Sequence, residues 1–106
     1  MATPATTQTT IPVNISIEAG KLKVSPDPFW IHKHQDQIVR WTCTVDQGQF
    51  TVEFGPDCPF YESQFNKDYP CSGLARRTVV TDPSRIYKYT VRVGNNVLDP
   101  GGGVEK

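Results

Sequence analysis

The 106-residue chain has no run of residues resembling the roughly 20 apolar residues of a membrane-spanning helix, so no membrane partner is expected. It has no charge excess either, because eleven Lys and Arg balance eleven Asp and Glu. Zero net charge leaves no electrostatic footprint for nucleic acid, and none is expected as a partner. Met is confined to Met1 and His to His32 and His34. Residues 1–10 hold five Thr and neither a basic stretch nor an apolar one, so they do not read as a signal peptide. A cytoplasmic location is expected for the chain as written; a secreted or periplasmic protein cut from a precursor would begin the same way. No nucleophile elbow, phosphate-binding glycine loop or zinc-hydrolase motif occurs, and Ser63, Ser72 and the two His have no nucleophile–base spacing. No catalytic residues, no cofactor and no enzymatic activity are therefore expected. The three cysteines, Cys43, Cys58 and Cys71, are an odd number and make no complete disulfide framework. Cys58 and Cys71 could still close a loop in an oxidising compartment, while Cys43 falls on an apolar strand face and is expected to pack there as a thiol.

What the chain does have is nine Pro, eight Gly and repeated period-two alternation. At this length a single domain is expected, rich in turns and all-β. Residues 1–10 are expected to be a flexible arm, with one folded domain over 11–106. Ile11, Val13, Ile15 and Ile17 share one strand face, and Ala19-Gly20 turns the chain into a short strand over 21–25. Pro26-Asp27-Pro28 breaks the next extended stretch, since a prolyl nitrogen donates nothing to a ladder. Val39, Trp41, Cys43 and Val45 alternate over 37–45. The turn signal Asp46-Gln47-Gly48 suggests a hairpin with the strand carrying Phe50, Val52 and Phe54. Periodicity fails from about residue 55 to 77. A connection this long usually has a function or packs locally, and a short helical turn is expected near Tyr61–Phe65. Thr78–Thr81 reads as a brief strand, Tyr87, Tyr89, Val91 and Val93 as the inward face of a longer one, and Val97-Leu98 as a last extended piece. Gly101-Gly102-Gly103 is expected to be an irregular tail. Seven or eight short strands with one long connection suit a Greek-key β-sandwich or barrel.

Three stretches carry a family resemblance: Val24-Ser25-Pro26-Asp27-Pro28-Phe29 with Ile31-His32-Lys33, then Val39-Arg40-Trp41-Thr42-Cys43, then Tyr87-Lys88-Tyr89-Thr90-Val91. In this order, and with the ending Val97–Val104, they resemble a branch of small bacterial cupredoxin-like proteins that lack the copper site. The resemblance spans about residues 11–103 and implies a cupredoxin-like Greek-key fold. A type 1 copper site needs two imidazoles, a thiolate and a weak thioether. Carried over by motif, the first His position is held by Phe50 and the Cys position by Val91. The stretch 94–100 holds neither His nor Met. Phe50 and Val91 thus read as apolar plugs in vacated copper-ligand positions. The expected function is non-enzymatic: binding of an unidentified protein partner, or self-assembly through the arm or an edge strand.

A second reading rests on His32 and His34, which share a strand face if that piece is extended and could begin a Cu or Zn site in a metal-handling protein. Their bland reading is a solvated polar face. The candidate contact surface is Trp30, Phe60, Tyr61, Phe65 and Tyr69, the last four of which could equally cap one end of the sandwich. Arg76-Arg77, the one adjacent Arg pair, reads as solvated rather than as an anion site.

Overall fold

The computed structural model describes residues 10–45 and 48–106. Among them the architecture is all-β, with curled sheets forming a half-barrel and no α-helix. Nine strands occur: β1 (Thr10–Glu18), β2 (Lys21–Ser25), β3 (Phe29–His32), β4 (Ile38–Cys43), β5 (Thr51–Phe54), β6 (Gln64–Asn66), β7 (Tyr87–Val93), β8 (Asn96–Leu98) and β9 (Gly101–Glu105). A 3-10 turn, Lys33–Gln35, follows β3. Thr10, expected in the arm, opens β1, while residues 1–9 and the expected turn at Asp46-Gln47 lie outside the described residues.

One sheet has the order β2-β1-β4, and the other β3-β9-β7-β5-β6 with β8 also on β7. The first forms as the alternation requires. Val13 and Ile15 are fully buried, and β1 turns antiparallel into β2 through Ala19 and Gly20, both at positive φ (52° and 78°). That backbone twist suits a tight hairpin. The second sheet takes over where the prolines break the strand: β2 runs in one sheet and β3, beyond Pro26-Asp27-Pro28, in the other. Asp27 Oδ1 pins this crossover by accepting from the Gly101 N–H at 3.0 Å.

Between the sheets lies an aromatic core centred on the fully buried Trp41 of β4. Its ring stacks on Phe65 at 5.0 Å and meets Phe29, Phe54 and Tyr89 edge-on at 6.2, 6.2 and 5.7 Å. Edge-to-face and offset geometries of this kind are the favoured ones for ring pairs. Trp41 Nε1 donates to Tyr89 Oη at 3.4 Å, so neither buried polar atom is left without a partner.

Several expectations are corrected. β4 and β5 do not form a hairpin: β4 lies parallel to β1, and β5 lies between β6 and β7. Their inward residues meet across the core from opposed sheets, as Trp41 and Phe54 do edge-on, rather than side by side in one sheet. Thr78–Thr81 is not a strand, and residues 61–65 form no helical turn but lead into β6. The glycine tail is a strand in the interior of a sheet. β9 pairs parallel with β3 and antiparallel with β7, and Gly101 to Val104 are buried. Glycine is required because aromatic rings occupy the side-chain positions. A Cβ on Gly102 would enter the Phe29 ring, and one on Gly103 the Trp30 ring, each the cross-strand neighbour.

The long connection is ordered as two edge pieces. β6 extends the larger sheet. Pro70–Ser72 runs beside β4, with Trp41 N donating to Pro70 O, Ser72 N to Val39 O and Val39 N to Ser72 Oγ at 2.8–2.9 Å. One segment thus closes the same side of both sheets and satisfies the backbone groups of an otherwise open edge.

Candidate functional site

The two positions matched to copper ligands lie in the apolar core. Val91 is fully buried opposite Val52 on β5 and Leu98 on β8, and Phe50, just before β5, is buried in the same cluster. Val93, Leu98 and Val45 pack into that cluster as well. The strand neighbours of Val91 offer hydrocarbon where a ligand set would need nitrogen or sulfur, and the thiols of the same core are the buried Cys58 and the half-buried Cys43 packed against it.

The two histidines are not brought together into one strand face, because the chain leaves β3 at His32 and enters the 3-10 turn with an exposed His34. His32 Nε2 lies 3.4 Å from Glu105 Oε1, its cross-strand neighbour, and its Nδ1 is 2.7 Å from the Lys106 carbonyl. No group of three or more His, Cys, Asp or Glu stands close enough to hold a metal ion among the described residues. Cys58 and Cys71 form no disulfide: Cys58 is buried, Cys71 is exposed, and both are free thiols, as is the half-buried Cys43. Burial pushes the Cys58 thiol above its ordinary 9.0, against the Phe60 N–H and the nearby Arg76 charge, which favour the thiolate.

The proposed contact aromatics divide. Phe60 and Phe65 are core residues (2% and 4% exposed) and leave the contact surface. Phe60 faces Ala75 across an isolated bridge and stacks on Phe29, while Phe65 stacks on Trp41. Trp30 is half-buried over Gly103, where it fills the gap that a residue without a side chain leaves on the sheet's outer face. Tyr61 and Tyr69 project into solvent at 63% and 74% exposure. Burial also raises the phenol of Tyr89 well above its ordinary 10.0, with the Trp41 hydrogen bond opposing weakly.

Tyr61 is the aromatic wall of a groove of about 620 Å³ shared with Arg76, Arg77 and Thr78. The turn is fixed at several points. Arg76 N donates to Pro59 O (2.8 Å), Val79 N to Arg76 O (3.0 Å) and Arg77 N to Tyr61 Oη (3.0 Å). Lys33 Nζ reaches across from the 3-10 turn to the carbonyls of Arg77 (2.8 Å) and Val79 (2.9 Å). The sequence shows the Arg pair, but not Lys33 or Thr78 as neighbours of Tyr61. The chain returns to Tyr61 only after sixteen residues, and no local pattern encodes that return.

No helix among the described residues is long and apolar enough to cross a membrane. In comparisons with known proteins, no family model, no curated protein and no solved structure matches this chain.

Proposed function

We propose that this protein is a non-enzymatic binding module on a cupredoxin-like, copper-free frame, and that its long connection is the contact face for a protein partner. The observation that carries this reading is the contrast within residues 55–77. The segment is hydrogen-bonded into both sheets, yet it turns Tyr61 and Tyr69 outward. Aromatics on a backbone already held in place offer large contact area with little ordering cost on binding, as binding loops on β-sandwiches do. The frame itself is supported by the strand order, with the parallel pairs β1/β4 and β3/β9 in an otherwise antiparallel sandwich and one proline-broken strand shared by both sheets. Phe50 and Val91 in the core support the absence of type 1 copper.

Metal handling through His32 and His34 draws no support from their positions. Self-assembly by edge pairing draws less than partner binding, because Pro70–Ser72 already covers the β4 edge and Lys21 and Lys23 stud β2.

Affinity capture with the intact chain and with Tyr61→Ala/Tyr69→Ala, compared by quantitative mass spectrometry, tests the proposal. It predicts a defined protein retained by the wild type and depleted by the double variant. Equal recovery sinks the contact-face reading, and an intense thiolate-to-copper absorption band on copper titration sinks the copper-free frame.

A further inference from the structure

We propose that the groove between Tyr61 and the Arg76–Thr78 turn recognises carboxylates of an acidic peptide segment, an inference that rests on the contact-face reading above and names the chemistry of its partner. Among the described residues the exposed cations Lys23 and Arg85 have carboxylate partners, Glu18 and Asp57. Like Lys21, Arg40, Lys67, Lys88 and Arg92, neither Arg76 nor Arg77 forms such a pair among the described residues; what sets these two apart is that they are adjacent and line one groove. Lys33, outside the groove lining, brings a third positive charge to the backbone of the same turn. Its ammonium is held by two carbonyls, which position the charge without neutralising it.

The polar groups of the wall are chiefly donors. A guanidinium donates and accepts nothing. The Tyr61 hydroxyl accepts the Arg77 N–H, which leaves its own O–H to donate outward. Thr78 adds a hydroxyl. Such a wall is complementary to an acceptor-only group, and the planar guanidinium fork matches a carboxylate in bidentate fashion. The size and surroundings of the groove favour a peptide over a free ion. About 620 Å³ is far more than one ion fills, and Leu74 and Val80, on either side of the turn in sequence, stand 43% and 74% exposed. An acidic segment bearing apolar residues fits this combination. A second cleft, lined by His32, Thr81, Pro83, Glu105 and Lys106, carries its own carboxylate and does not share this one-signed character.

The test is an amide-resolved NMR titration of the full chain at low salt with three probes: an acetylated, amidated hexaglutamate peptide, the matching hexaglutamine peptide, and inorganic phosphate. Hexaglutamate is expected to shift the amides of Tyr61, Arg76, Arg77 and Thr78 saturably. Arg76→Gln/Arg77→Gln should weaken it about tenfold or more, whereas Arg92→Gln on β7 leaves it unchanged. Both guanidiniums are exposed and the turn is held by backbone groups, so the double variant is expected to keep the wild-type spectrum elsewhere. Salt dependence is a second readout on the unmodified chain: binding should be lost as the screening length falls below about 8 Å. The proposal is overturned if hexaglutamine shifts the same amides equally, if hexaglutamate shifts scatter over every cationic face, or if phosphate saturates these amides at equal or lower concentration. Absence of hexaglutamate binding overturns it too, while leaving the Tyr61/Tyr69 contact face to be decided by its own capture experiment.

Discussion

The two ends of β5 lead to opposite outcomes. Just before the strand, Phe50 is buried in the same apolar core as Val52, Val91 and Val93, against which Leu98 packs. Beyond Phe54, the chain enters a connection that alternates between interior and solvent: Phe60 and Phe65 in, Tyr61 and Tyr69 out. Aromatic rings serve cohesion alone at one end, and both cohesion, through Phe60 and Phe65, and display, through Tyr61 and Tyr69, at the other. What separates them is satisfaction of the backbone. Strand pairing seals the first end, while edge pieces pinned to both sheets hold the second still and leave its outer side chains free. The comparison teaches that exposed aromatic surface lies where chain has been added to the sheet edges, away from the buried Phe50 and Val91.

Substitutions should separate the two regions sharply. Phe50→Ala is expected to cost about 3–5 kcal/mol in urea unfolding, as for other buried Phe truncations. A cost below about 1 kcal/mol would mean that this end can collapse or is already wet. Gly102→Ala should cost about 1–3 kcal/mol, because the new methyl must displace the Phe29 ring from a filled core. A neutral result would show that the β3/β9 pairing is looser than described.

The phenol of Tyr89 supplies a pH test. Its folded pKa is raised, so above pH 10 the unfolded chain releases the proton while the folded chain keeps it. Stability should therefore fall with rising pH there, by about 1.4 kcal/mol per pH unit for this one group. Tyr89→Phe should flatten that slope, and pH-dependent melting of the two proteins measures it. At the small end, Tyr69→Ala should change stability by no more than about 0.5 kcal/mol, as expected for an exposed side chain. A larger loss would assign Tyr69 to folding rather than display.

Alternation made β1, β4, β5 and β7 legible in the sequence, together with Trp41 as an inward residue, because a strand with one buried face repeats every two residues. The pairing of those strands was not legible. A period of two reports which face is buried and says nothing about the neighbour, so β4 and β5 read as a hairpin when they belong to opposed sheets. β9 escaped for a different reason. Its glycines carry no hydrophobic signal, and their burial follows from Phe29 and Trp30 lying on them from β3, seventy-three residues earlier in the chain. Within residues 55–77 the prolines and the lack of alternation marked a connection correctly but hid β6, whose three residues are too few to show a period.

For the candidate site, the exposed aromatics and the Arg pair were visible as residue types, but their grouping was not. Phe60 and Tyr61 are adjacent and have opposite fates, which the bridge to Ala75 and the hydrogen bond from Arg77 decide.

By itself the sequence determined the all-β class, the neutral charge, the turn-rich chain and the hydrocarbon at Phe50 and Val91, since composition and local periodicity act within a few residues. Only the tertiary structure decided which sheet each strand joins, that a glycine run becomes an interior strand, that Tyr61, Arg76, Arg77 and Thr78 share one groove, and that Lys33 reaches the carbonyls of that turn. Those outcomes depend on contacts between residues far apart in the chain, where packing and backbone hydrogen bonding select among arrangements that local preference leaves equal.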